Sequence, residues 1–348
     1  MATKTTKGFS IKPKEITKKL LNVLPERNRD ILTKRYGLDK NSKRLTLEAI
    51  GSEYGITRER VRQIENFGLG MTKKSKTYES ATEAFEQIKD LMNEYGSVVH
   101  EREFLGSLAK DELTQNHIHF LLVVSDNFTK IKEDEEFHHR WTVNEEKAAK
   151  VHQSLRRLCA GFSEDDLIPE PELITKFLKE LKDFSNEPNL EGLAPKWLKI
   201  CKLLARNPLG EWGLNTSPNI RMRGIRDYAY LVLRQNKAPL HFTEVAREID
   251  KTFNKKAHPA TCHNELIKDG RFVLVGRGLY ALTEWGYSQG TVVDVVMRIL
   301  KEAGALSKDE IINHVLKERF VKENTILVNL QNAKYFKRDE NGRYFLVS

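Results

Sequence analysis

Apolar residues fall three and four apart from Lys14 to Leu24, and again from Pro25 to Tyr36. That is the spacing of helices that bury one face. Pro25 suits a first helical turn and Gly37 a C-terminal stop. The polar stretch "DKNSKR" at 39–44 reads as a loop. Two short helices follow, Thr46–Tyr54 and Thr57 to about Asn66. Residues 1–13 are polar and expected to form a disordered tail. The stretch "GLGMTKKSKTYES" at 68–80 reads as a basic linker.

Behind that stretch one pattern recurs: a helix, a short second helix, a third helix and a β-hairpin. Its clearest copy is 224–287. There "IRDYAYLVLRQ" is the first helix, and Thr243 opens the second. Pro259 starts the third, and "RFVLVGRGLYALTEWG" gives two strands around Gly276 and Gly278. Both glycines are expected to supply the positive φ of a tight hairpin. Residues 290–348 repeat the plan, with Ser307 and Glu310 spaced as a capping box. Residues 81–143 fit more loosely, and 146–216 most weakly. The expected fold class is mainly α with small β-hairpins. An N-terminal helix-turn-helix domain (14–70) and a linker (71–80) precede three to four tandem winged-helix (α+β) repeats, spaced roughly 60–70 residues apart.

The stretch "GITRERVRQIE" at 55–65 has two faces. Val61 and Ile64 lie three apart and point inward, where Ile50 and Ile56 meet them. Arg58, Glu59, Arg62 and Gln63 form one stripe away from that face. Gly51 lets two helices approach closely, and Gly55 suits the left-handed turn between them. Thr57 caps the second helix, and Glu59 complements its dipole. Such a stripe has the chemistry of base readout: arginine donates two hydrogen bonds to guanine, glutamate accepts from cytosine, and glutamine pairs with adenine. A helix laced with Glu–Arg pairs and exposed only to solvent has the same pattern.

Charge changes the picture. Residues 1–77 hold 19 Lys and Arg against 8 Asp and Glu, in a chain of 348 residues with net charge +9. The excess cation content therefore sits in the first fifth of the chain, which points to a polyanion there. Hydrophobic residues make up 39% and charged residues 31%, a globular composition. Cys159, Cys201 and Cys262 lie far apart, which argues against a disulfide framework or zinc site and for a reducing cytoplasm. No apolar run is long enough to cross a bilayer. The histidines lack metal-ligand spacing, and no nucleophile, phosphate-loop or metalloprotease motif occurs. No cofactor, metal, catalytic residue or small-molecule substrate is expected. Trp141, Trp197, Trp212 and Trp285 are expected in repeat cores rather than as base-stacking platforms. Lys255, Lys256, His258 and His263 flank the third helix of the 224–287 copy, with Arg271 and Arg277 on its hairpin. They form either a second DNA surface or a solvated face.

"LPERNRDILTKRYGL" (24–38) followed by "LTLEAIGSEYGITRERVRQIE" (45–65) closely resembles region 4 of the primary sigma factors of the sigma-70 family. The resemblance covers about residues 14–70. It implies binding to a −35 promoter element and to RNA polymerase. It places base reading on Arg58, Glu59 and Gln63. Phosphate or nearby contacts fall on Arg60 and Arg62, and backbone contacts on Arg35, Thr46 and Leu47. The family's usual basic continuation is replaced by "NFGLG", so an earlier helix end is expected. Few residues precede the matching stretch, so this chain is expected to lack the promoter-melting regions of a complete sigma factor. "PLHFTEVAREI" and "GRFVLVGRGLYALTEWG" resemble a second family, the HARE-type winged helix, which implies DNA or protein partners and no catalysis.

The expected function is that of a bacterial-type, non-enzymatic DNA-binding transcription regulator. It would be cytoplasmic and nucleoid-associated, with double-stranded DNA and RNA polymerase core as partners. Two alternatives stand beside it: a polymerase-binding modulator (delta-like or a sigma decoy), and the DNA-specificity component of a restriction or defence system.

Overall fold

The computed structural model describes residues 11–347, so most of the expected tail lies outside the described residues. The chain forms two compact units that divide between Ala205 and Arg206.

The first unit opens with four helices: α1 (Pro13–Leu21), α2 (Glu26–Tyr36), α3 (Leu47–Tyr54) and α4 (Arg58–Lys73). Gly37 ends α2 with φ 62°, the left-handed stop expected of it. Then come α5 (Lys76–Glu79), α6 (Thr82–Glu94), β1 (Val98–His100), α7 (Glu101–Leu108), α8 (Glu112–Val124), β2 (Thr129–Ile131) and β3 (Arg140–Thr142). These strands make an antiparallel sheet of order β1-β3-β2, with Val99 opposite Trp141. The unit continues with α9 (Glu145–Ala160), β4 (Ile168–Pro169), α10 (Glu170–Glu180) and α11 (Leu190–Leu198). β5 (Leu204–Arg206) lies at the boundary.

The stretch expected to be a linker is helical and packed. α4 runs through Gly68, Leu69 and Met71 to Lys73. Gly68 is buried, and a Cβ there would sit 3.1 Å from Leu32 Cδ1, so α4 passes α2 at close range. The buried Thr72 hydroxyl donates to the Gly68 carbonyl at 2.9 Å, which satisfies it within the helix. Leu69 and Met71 pack against the core. The glycines marked flexibility by composition, but tertiary packing outweighs their low helix propensity of about 1 kcal/mol each.

That core joins the two parts that the linker was expected to separate. Leu20, Leu24, Leu32 and Tyr36 of the first helices share one apolar cluster with Phe85, Ile88, Phe120 and Trp141. The helix-turn-helix keeps only a small core of its own, Ile31, Ile50 and Val61. Asn116 of α8 is 1% exposed. It donates to the carbonyls of Gly37 (3.0 Å) and Ser42 (2.7 Å), and accepts from Arg44 Nε at 2.6 Å.

The second unit contains β6 (Glu211–Leu214), α12 (Ile225–Asn236), β7 (Leu240–His241), α13 (Phe242–Phe253), α14 (Pro259–Lys268), β8 (Phe272–Gly276) and β9 (Leu279–Leu282). Its sheet has the order β7-β9-β8, the same as in the 81–143 segment. α15 (Val292–Ala303), α16 (Lys308–Glu318), α17 (Glu323–Leu330), β10 (Phe336–Arg338) and β11 (Tyr344–Leu346) complete it. Here the hairpin's third partner shrinks to a single bridge, Leu306 to Tyr344.

The Ser307–Glu310 capping box forms as expected: Glu310 Oε2 accepts from the Ser307 N–H at 2.8 Å. α13 starts one residue before Thr243, capped by His241. Gly278 takes φ 72°, as the hairpin requires. Gly276 does not have positive φ. A Cβ there would lie 2.8 Å from the Phe320 carbonyl, so its hydrogen allows a parallel bridge between those residues.

Trp141 and Trp197 are buried, as core residues should be. Trp212 and Trp285 are half-buried. Cys159 and Cys201, distant in sequence, lie side by side as free buried thiols with sulfurs 3.6 Å apart.

Candidate nucleic-acid interface

α3 and α4 are built by two threonine caps and a tight turn. Thr46 Oγ1 accepts from Ala49 N–H at 3.1 Å and Thr57 Oγ1 from Arg60 N–H at 3.2 Å. Gly55 takes φ 64° between the helices. The turn passes close over Gly51: a Cβ there would fall 2.6 Å from the Ile56 carbonyl oxygen. Ile50 and Val61 are fully buried, with Leu47, Ile56 and Ile64 packed around them. The inward face is therefore the one that the spacing indicates.

The outward face carries Arg58, Glu59, Arg60, Arg62 and Gln63, all exposed. They pair along the helix. Arg62 donates from Nη2 and Nε to the two Glu59 oxygens at 2.7 and 2.9 Å. Arg60 Nη1 donates to Gln63 Oε1 at 3.0 Å. The hydrogen-bonded Arg62 guanidinium holds Glu59 below the usual carboxylate range. The side chain of Arg58, at the first position of α4, makes no hydrogen bond or ion pair with a described residue. One turn past Gln63, where an earlier helix end was expected, the helix continues and Phe67 stands 60% exposed.

The supporting residues have structural partners. Arg35 Nη1 donates to the Leu45 carbonyl at 3.0 Å, and its Nε lies 3.4 Å from Glu65 Oε1. Thr46 is the α3 cap, and Leu47 belongs to the small core. Glu65 also accepts from the Tyr36 hydroxyl at 2.7 Å, tying α4 to α2. Its polar identity in a charged run concealed that role. Asn116 escaped the sequence reading because it acts on the Gly37–Ser42 turn from a distant helix.

The six residues expected to form either a second DNA surface or a solvated face differ in their surroundings. Arg271 is committed to Asp269 (2.6 Å), Asp227 (2.9 Å) and Asn219 (3.1 Å). His263 packs half-buried against Phe242, ring centroids 4.5 Å apart. Lys255 covers the Tyr228 ring at 4.4 Å. Lys256, His258 and Arg277 are exposed. Among the described residues no group of three or more His, Cys, Asp or Glu is placed to hold a metal ion. No described helix is long and apolar enough to cross a membrane.

A glycine-hinged pair of helices, the second offering a polar stripe, defines a helix-turn-helix domain. Residues 20–70 match the family described as Sigma-70, region 4. This part of the chain is thus a DNA-binding, sigma-factor-like region. It is 50% identical over 52 residues to RNA polymerase sigma factor SigA of Clostridium acetobutylicum, covering 15% of this chain and 14% of that protein. It is 45% identical over 51 residues to sigma factor RpoD of Neisseria gonorrhoeae, covering 15% and 8%. Against principal sigma factor HrdD of Streptomyces viridifaciens it is 46% identical over 55 residues, 16% of each chain. The chain spans less than a fifth of the length of these relatives.

Proposed function

We propose that the protein is a sequence-specific DNA-binding transcription regulator. Its α4 helix enters the major groove of a −35-like element, with Arg58, Glu59 and Gln63 on base edges and Arg60 and Arg62 on phosphates or nearby bases. Arg35, Thr46 and Leu47 hold the flanking backbone. The observation that carries this reading is the match of residues 20–70 to Sigma-70, region 4, together with an α4 stripe that is exposed along its length. RNA polymerase core is the proposed protein partner, because the relatives of this domain are named as polymerase sigma factors.

The segments 81–143, 146–216, 224–287 and 290–348 are proposed as winged helices, with 224–287 of the HARE type. The support is the common order helix, strand or bridge, two helices, hairpin, and the identical strand order in two of them. No step of catalysis is assigned to any residue, and the protein acts in the cytoplasm by binding.

The test is Arg58→Ala in the full chain, measured on a preferred duplex and on a scrambled one. Loss of a bidentate arginine–guanine pair should cost about 1–3 kcal/mol on the preferred duplex and relax its preference. An equal loss on both duplexes, or none, defeats base reading by α4.

A further inference from the structure

Outside the first 77 residues the charge is not evenly spread. Residues 78–205 hold 16 Lys and Arg against 25 Asp and Glu, whereas residues 206–348 hold 23 against 16. An acidic middle masks a basic C-terminal part when the two are counted together. The cations of the second unit also differ in how they are used. Arg271 and Arg298 are each held by two carboxylates. Lys334, Lys337, Arg338 and Arg343 form no ion pair with a described residue, and all four are exposed on or beside the β10–β11 hairpin.

The hairpin keeps these charges in place. Lys337 and Phe345 are direct cross-strand partners, so they share one face, and Phe345 is 37% exposed there. Arg338 Nε donates to the Gly342 carbonyl at 3.0 Å, and its guanidinium lies over the Tyr344 ring. The nearby carboxylate of Asp339 accepts from the Arg343 N–H at 2.7 Å, which directs it into the turn. Lys334 extends over the Tyr335 ring. α17, packed in the same module, contains Glu323 and no Lys or Arg. The hairpin thus gathers four exposed cations while α17 has none, and Lys301, Lys308, Lys317 and Lys322 are exposed elsewhere in the module.

We propose that the β10–β11 hairpin is a second nucleic-acid contact that binds the phosphate backbone of duplex DNA without reading sequence. Cations without an ion-pair partner keep much of their attraction for phosphate, because no hydrogen-bonded carboxylate has to be displaced first; Glu310 lies within electrostatic reach of Arg343 and reduces its share. The exposed Phe345 beside Lys337 provides an apolar surface for deoxyribose. A two-stranded ribbon with Lys337, Arg338 and Arg343 beside its turn can lie along a backbone, with the carboxylates of Asp339 and Glu340 confined to the turn itself. Linked to α4 in one chain, the contact raises the effective affinity of the whole protein for any duplex. It rests on the proposed function only for the choice of DNA over another polyanion.

The test compares full-length wild type, the double variant Lys337→Gln/Arg343→Gln, and Arg58→Ala. Each is titrated against a preferred and a scrambled duplex over a range of salt. Loss of two phosphate contacts should reduce the slope of log K against log salt by roughly 1.8, at about 0.9 per contact. Affinity for both duplexes should fall by the same factor, with the preferred-to-scrambled ratio kept. The charge-conserving Lys337→Arg/Arg343→Lys chain should bind like wild type, which excludes a folding defect. Unchanged slope and scrambled affinity in the double variant overturn the proposal. So does unchanged DNA affinity accompanied by loss of binding to polyglutamate, which would make the hairpin a dock for acidic protein. Failure of base reading shows separately, as an unchanged preference in Arg58→Ala.

Discussion

Asn116 Nδ2 donates to the Gly37 carbonyl oxygen at 3.0 Å, binding a helix of the 81–143 segment to the turn that ends α2. The same amide accepts from Arg44 and donates to Ser42, so one side chain closes the loop that leads into α3. Asn116→Leu keeps the volume but leaves the buried Gly37 carbonyl and the half-buried Ser42 carbonyl without this donor. Each such loss costs about 1–3 kcal/mol. We expect the urea midpoint to fall accordingly, with the 39–46 loop exchanging its amide hydrogens faster. An unchanged midpoint would show that the loop is held by other bonds.

The shared core extends this expectation. The helix-turn-helix has three buried residues of its own, whereas its other apolar face meets Phe85, Ile88 and Phe120. A fragment ending near residue 75 would expose that face to water. It should unfold without the sharp cooperative transition of a piece ending after residue 143, as seen by circular dichroism on heating.

The outward stripe of α4 was legible in the sequence because helical periodicity alone places Val61 inward and Arg58, Glu59 and Gln63 outward. Gly51 and Gly55 were legible too, because each has a local reason to lack a side chain. The continuation of α4 was not. Gly68 and Gly70 signal a loop by propensity, and only the Leu32 side chain against Gly68 shows that the helix needs that glycine. The binding of Arg271 to internal partners was hidden for a similar reason. Its partners Asp227 and Asn219 lie 44 and 52 positions away, beyond any local pattern.

Glu59 is the one carboxylate on the exposed stripe of α4, and Arg62 is bound to it through both oxygens. On DNA the carboxylate repels phosphate, so its contribution is selective rather than attractive. Glu59→Ala removes that repulsion and releases Arg62. Affinity for a scrambled duplex should rise severalfold, and the preferred-to-scrambled ratio should fall. Fluorescence anisotropy on both duplexes at one salt concentration measures it. A loss on the scrambled duplex would mean that Glu59 serves mainly to hold the helix start.

Gly51 and Gly55 are glycines for different reasons, and alanine separates them. At Gly55 the added methyl meets nothing within 4 Å, but φ is +64°. Gly55→Ala should therefore cost about 1 kcal/mol of backbone strain, with the helices left in place. At Gly51 the methyl would lie 2.6 Å from the backbone oxygen of Ile56. That oxygen cannot rotate away, so the turn and the start of α4 must shift from α3, at about 1–3 kcal/mol. Gly51→Ala should weaken DNA binding beyond its effect on stability, and Gly55→Ala should not. Equal losses of binding in proteins held well below their melting temperatures would contradict this.

His152 gives the first unit a dependence on pH. Its Nε2 accepts from Arg140 Nε at 2.8 Å, and its ring stacks on Phe137 at 4.6 Å. Burial, then the positive charges of Arg140 and Arg156, push its pKa down to about 4, while Asp134 and Glu136 oppose them weakly. The unfolded chain binds this proton near the ordinary histidine value of about 6.5. Between these values the unfolded state holds more protons, so stability falls as pH falls from about 6.5 to about 4, and the loss levels off below that. At 1.36 kcal/mol per pH unit the loss from this group is about 3 kcal/mol. His152→Gln keeps an acceptor for Arg140 and removes the titration. Its urea midpoint should change less than that of wild type between pH 7 and pH 4.5. Parallel curves for the two proteins would assign the acid sensitivity of the unit to other groups.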